Sequence, residues 1–137
     1  MMKLAAAIIL VVGLSTAAQA VETGTLTLAC KGTWVVAGQE PEQLSMGLIV
    51  NFNAGTVEGI DVGPNIPVKI TGINEVTVAF GGSGRYLVGN LMMSGTIDRV
   101  TGDVDAEETM TDAKTGKMLG GGRDTYSLKC RPTQRLF

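Results

Sequence analysis

Two short alternating runs, LTLAC at residues 26–30 and YSLKC at residues 126–130, each stop on a cysteine, and these are the chain's 2 cysteines. Residues two apart share a face of a β-strand. Leu26, Leu28 and Cys30 therefore form one row, and Tyr126, Leu128 and Cys130 another. Each cysteine is in phase with the apolar residues of its run. A bridge between them requires the two runs to be neighbours, which restricts the fold to topologies whose first and last strands meet.

The same alternation recurs along the chain. SMGLIVNF presents Met46, Leu48, Val50 and Phe52 to one side, and EVTVAF presents Val76, Val78 and Phe80. In SGTIDRVTGDV, Ile97 points in, Asp98 out, Gly102 turns the chain and Val104 points in again. NAGT, VTGD and AKTGK place Gly55, Gly102 and Gly116 where tight hairpins need positive φ. GQEPE and VGPNIP are looser links, and FGGSGR and LGGGRD are expected as the most flexible stretches, hairpin tips. Strands are expected over 24–31, 33–37, 43–53, 56–62, 67–72, 75–81, 86–99 with a break near Gly89-Asn90, 103–111 and 124–130. No helical period persists for three turns. The fold class is all-β: a single antiparallel meander of about eight strands forming a small barrel or flattened sandwich.

The N-terminus carries Lys3, an apolar run from Leu4 to Leu14 and Ala18-Gln19-Ala20. This is the pattern of a secretory signal peptide over residues 1–20, so the mature domain is expected to span 21–137 and to be periplasmic or secreted. The apolar run is far short of the roughly 20 residues of a membrane span, and no transmembrane helix is expected. Cys30 lies behind the polar VETGTLT and so does not fit a lipoprotein leader. In an oxidising compartment the pair Cys30 and Cys130 is expected to form a disulfide. Losing Lys3 with the leader shifts the formal charge from −2 to −3, which argues against nucleic acid and anionic membrane surfaces as partners.

The chain has 0 histidines, which excludes Ser-His-Asp triads, Cys-His pairs and histidine-bearing zinc sites. No catalytic residue, metal or cofactor is expected, and the chain reads as a non-enzyme. Asp103, Asp105 and Glu107 of GDVDAEETMTD share a strand face instead of converging as calcium ligands. A solvated face that also blunts a sheet edge is the simpler reading. Arg85 and Arg123 each follow a glycine run and are candidate anion-binding residues, although neither run matches a P-loop or opens a helix. Met46, Met92, Met93, Met110 and Met118 show no repeated spacing and read as core filler rather than copper ligands.

Gly32-Thr33-Trp34 resembles the Gly-x-Trp of lipocalins. There the tryptophan sits early in the barrel under an arginine from the far end of the chain, a part Arg131 or Arg135 would take here. This chain is shorter than lipocalins and has a strand before the motif. The terminal Phe137 resembles that of outer-membrane barrels, but Thr133 and Arg135 occupy positions that are apolar in such a strand. SGTIDRVTGDV, LSMGLIVNF and YSLKCRPTQRLF together are similar to small exported proteins of rhizobia-like α-proteobacteria. That group has no assigned activity, so the resemblance implies a bacterial, exported protein and no site residues.

Two functional expectations follow. One is an exported module with a structural or interaction role and an unknown protein partner. The other is a carrier of a small apolar ligand in the barrel interior, lined by Leu28, Trp34, Val50, Phe52, Val78 and Leu128. An enzyme would need a site assembled from carboxylates, hydroxyls and Arg85 or Arg123.

Overall fold

A computed structural model describes residues 23–60, 62–63 and 65–133. The expected leader and cleavage point, Arg135 and Phe137 lie outside the described residues. Eight antiparallel strands follow one another: β1 (Thr25–Val35), β2 (Glu42–Asn51), β3 (Thr56–Glu58), β4 (Lys69–Ile73), β5 (Thr77–Tyr86), β6 (Gly89–Asp98), β7 (Asp103–Asp112) and β8 (Met118–Pro132). Each pairs with its neighbour in chain order, and β8 returns to β1 to close a barrel. The chain is therefore a barrel, not a flattened sandwich.

Closure rests on the two rhyming runs. β1 meets β8 from Leu28↔Pro132 to Val35↔Thr125, with Cys30 directly opposite Cys130. The two form a disulfide, their Cα atoms 4.0 Å apart and their positions 100 residues apart in sequence. Gly102, at φ 77°, turns the β6–β7 hairpin against this seam, and its carbonyl accepts the Cys130 N–H at 2.7 Å. The seam is thus held covalently and is hydrogen-bonded to a third strand connection.

Alternation decides which residues are inside. Leu48, Val50, Val78, Phe80, Met93 and Val104 are fully buried and fill the middle, with Leu28, Cys30, Ile97, Leu128 and Cys130 around them. The outward residues of β7 and β8 are polar and mutually engaged. Arg123 pairs with Glu107 at 2.9 Å, Lys129 pairs with Asp103, and the Ser127 hydroxyl donates to Asp105 at 2.8 Å. This is the reverse of a lipid-facing barrel, whose outside carries an apolar band. Among the described residues no helix is long and apolar enough to cross a membrane.

Several expected boundaries give way to glycine. The break at residue 32 is absent: β1 runs through Gly32, where a Cβ would enter the Ser127 carbonyl and the Leu128 Cα, so the residue is a point of close strand approach. FGGSGR is no hairpin tip but the second half of β5. A Cβ at Gly82 would lie 2.5 Å from the Pro67 carbonyl oxygen, and one at Gly84 would lie 2.8 Å from Ile66. The expected strand 56–62 ends at Glu58. Beyond it the β3–β4 connection folds across the barrel, burying Ile60, Val62 and Val68, and the bare backbone of β5 makes room for it. LGGGRD lies within β8 opposite a register shift between Thr109 and Thr111, where the pairing jumps from Arg123 to Met118; it is a bulge, not a tip. The chain reverses at Leu87-Val88, ahead of the expected break, and Val76 is exposed in the β4–β5 turn rather than inward. The acidic run on β7 blunts no edge, since β6 and β8 flank it.

Candidate functional site

A meander of this kind has two ends. The β2–β3, β4–β5 and β6–β7 hairpins gather at one, which Phe52 marks; the β1–β2, β5–β6 and β7–β8 hairpins gather at the other, which Trp34 marks. The expected ligand-lining residues divide between them. Leu28, Val50, Phe52 and Val78 line a concavity of about 610 Å³ at the Phe52 end, next to Cys130, Arg99 and Arg131. Trp34 lines a separate concavity of about 450 Å³ at the opposite end. Leu128 is buried in the wall beside Val104, its register partner.

The Trp34 end has the more distinctive chemistry. Trp34 continues the inward row of β1 and stacks on Tyr126 of β8, ring centroids 6.1 Å apart and planes 16° from parallel. Tyr126 thus occupies the place in which the lipocalin resemblance put an arginine. Arg131 stands at the other end of the barrel, beside Phe52. Tyr86, last residue of β5, completes the aromatic lining. The indole Nε1 is buried and has no hydrogen-bond partner among the described residues.

Two carboxylates face these rings. Glu108 of β7 lies directly opposite Asp124 of β8, and both line the concavity. Burial pushes the Glu108 carboxyl above the usual glutamate range, and the negative charge of Asp124 adds to the rise. Asp124 accepts the Ala37 N–H at 3.1 Å, tying the β8 bulge to the β1–β2 hairpin. Leu119, Gly120 and Gly122 of that bulge form part of the rim. The acidic run of β7 carries a signal for Glu108. If Asp103, Asp105 and Glu107 face out, then Val104, Ala106, Glu108 and Met110 face in, and the inward row carries a charge among apolar residues. Tyr126 and Asp124 follow in the same way from Leu128.

The arginines weighed as anion sites are not brought together. Arg85 is exposed on the outer face of β5 opposite Asn90. Arg123 is on the outer face of β8 with Glu107 as its partner, and β6 and β7 separate the two strands. Among the described residues no group of three or more His, Cys, Asp or Glu side chains is placed to hold a metal. Comparison with family models, with curated proteins and with solved structures finds no match to this chain.

Proposed function

We propose that the chain is an exported, non-enzymatic recognition module, a stapled barrel that presents binding surfaces at its ends. The observation that carries this reading is the filled middle. Leu48, Phe80, Met93 and Val104 pack the middle, with Val50 and Val78 closing it toward the Phe52 end, and the β3–β4 connection occupies space that glycines open in β5. Recognition is then left to the ends. Support for export comes from the disulfide, which persists in oxidising compartments, together with the leader pattern of residues 1–20. The absence of histidine and the bonded state of both cysteines support a non-catalytic role.

The test is expression of the full chain in a Gram-negative host, followed by fractionation and intact-mass measurement after thiol trapping. The expected result is a periplasmic or secreted protein starting near Val21, with no trapped thiol. A cytoplasmic chain that keeps its leader and two free thiols overturns the proposal. The carrier reading is favoured by one observation, the concavity lined by Leu28, Val50, Phe52 and Val78 with Arg99 and Arg131 at its mouth. An apolar tail inside and an anionic head on the arginines would suit it. Native mass spectrometry of gently purified protein separates the two, since a stoichiometric small molecule supports the carrier and an empty protein supports the module.

A further inference from the structure

We infer that the concavity at the Trp34 end binds a small organic cation of the alkylammonium class, held between the rings of Trp34, Tyr86 and Tyr126 and the carboxylates of Glu108 and Asp124. This deepens the recognition reading above and rests on it.

Composition gives the first reason. Aromatic residues are only 4% of the chain, yet its 1 tryptophan and 2 tyrosines all line this one concavity. Packing needs alone would spread them, as they spread Phe52 and Phe80 to the far end and the centre.

Charge gives the second. Like charges directly opposite on a sheet destabilise it, and Glu108 faces Asp124 in register. On the outer face of the same two strands the acids are answered: Glu107 by Arg123, Asp103 by Lys129, Asp105 by the Ser127 hydroxyl. Asp124 accepts the Ala37 N–H, but among the described residues lining the concavity there is no lysine or arginine to answer the charge of the inner pair. A local rule broken inside a concavity marks a site whose missing partner is a ligand. A positively charged ligand answers the carboxylates.

The rings choose among cations. Calcium takes 6 to 8 oxygen ligands, and two side-chain carboxylates with three aromatic rings do not supply them. An ammonium carrying alkyl groups is weakly hydrated, and it gains from ring faces as well as from negative charge. A volume of about 450 Å³ accommodates such a molecule.

Trp34, the chain's single tryptophan, provides the readout. Tetramethylammonium chloride and choline chloride are titrated against its fluorescence in the oxidised mature protein, at constant ionic strength set with sodium chloride, and calcium chloride is titrated separately. The expected result is a saturable change with both ammonium ions and none with sodium. Glu108→Gln and Asp124→Asn, which keep shape and hydrogen-bonding capacity, are each expected to weaken binding about tenfold or more. No saturable change up to roughly 100 mM overturns the inference, as does full-strength binding by both folded variants or a stronger response to calcium. If a variant fails to fold, the comparison of tetramethylammonium with sodium in the native protein decides alone. An exported, oxidised protein that is indifferent to ammonium ions sinks this inference and leaves the recognition module standing.

Discussion

Single residues hold this barrel through two devices, bare backbone where chains crowd and side-chain caps where they turn. Gly95 shows the first. A Cβ there would lie 2.5 Å from Phe80 Cζ and 2.7 Å from the Ala106 Cβ, and Phe80 is among the most buried side chains. Gly95→Ala is therefore expected to cost about 1–3 kcal/mol, read as a lower urea midpoint; an unchanged midpoint would show that the ring can move aside. The second device repeats at four turns. Asn51 Oδ1 accepts the Ala54 N–H, and Asn74 Oδ1 accepts those of Val76 and Thr77. Asp98 Oδ1 accepts from Val100 and Thr101, and Asp112 Oδ1 from Lys114 and Thr115. These backbone hydrogen bonds hold the Asp98 and Asp112 carboxyls below the usual aspartate range, and Lys129 followed by Thr101 does the same for Asp103. With the folded pKa depressed, their stabilising contribution is complete above the unfolded value, near pH 4, and is lost as pH falls through the folded values. Glu108 has the opposite sign. Its raised pKa gives a contribution that is present at low pH and lost as pH rises through the folded value. Urea midpoints measured against pH are expected to fall on acidification below about pH 4. Glu108→Gln is expected to raise the neutral-pH midpoint, and a lower one would mean that the Glu108 charge is already compensated inside the protein.

At the scale of elements, the hairpins and pairings differ in strength. The β5–β6 hairpin turns on Leu87 at φ 51°, left-handed backbone that a leucine adopts at a cost. Leu87 and Val88 are 76% and 71% exposed, so no burial offsets that cost. Leu87→Asn is expected to stabilise the protein by about 1 kcal/mol, seen as a higher melting temperature; a lower one would mean that the leucine makes contacts worth more than the strain. The weakest link around the barrel is between β3 and β4, which share the single register pair Thr56↔Lys69. Two further backbone bonds reinforce it, Val57 N–H to Val68 and Ile70 N–H to Gly55. Hydrogen exchange is expected to be faster at Val57 and Ile70 than at Leu128 and Lys129 in the continuous β7–β8–β1 pairing, and the reverse order would place the opening point at the closing seam. These elements also show what was legible in the sequence. Alternation located the core rows of β1, β2, β7 and β8 because one face of each strand is apolar and the other wet. It failed at Gly82 and Gly84, since a glycine that makes space for a crossing chain reads the same as one that turns. It failed again at Ile60 and Val62, whose apolar character reports burial without saying whether a strand ladder holds them. Of the Trp34 end, alternation along β7 turns Glu108 inward, but only register across two strands sets it opposite Asp124.

For the molecule as a whole, a covalent staple between first and last strands closes the barrel. Cys30 and Cys130 are in register on adjacent strands and close a loop of 100 residues, worth about 4–5 kcal/mol in the chain-entropy account. That is a large share of the net stability of a small domain. The interior residues nearest the seam, Leu28, Val104 and Leu128, stay buried only while β1 and β8 remain paired. The most direct measurement is thermal unfolding of the mature protein, oxidised, against the Cys30→Ala/Cys130→Ala double variant under identical conditions. The melting temperature is expected to fall by about 10 °C or more. Coincident melts would contradict a stabilising staple and leave the two cysteines neighbours without a structural role.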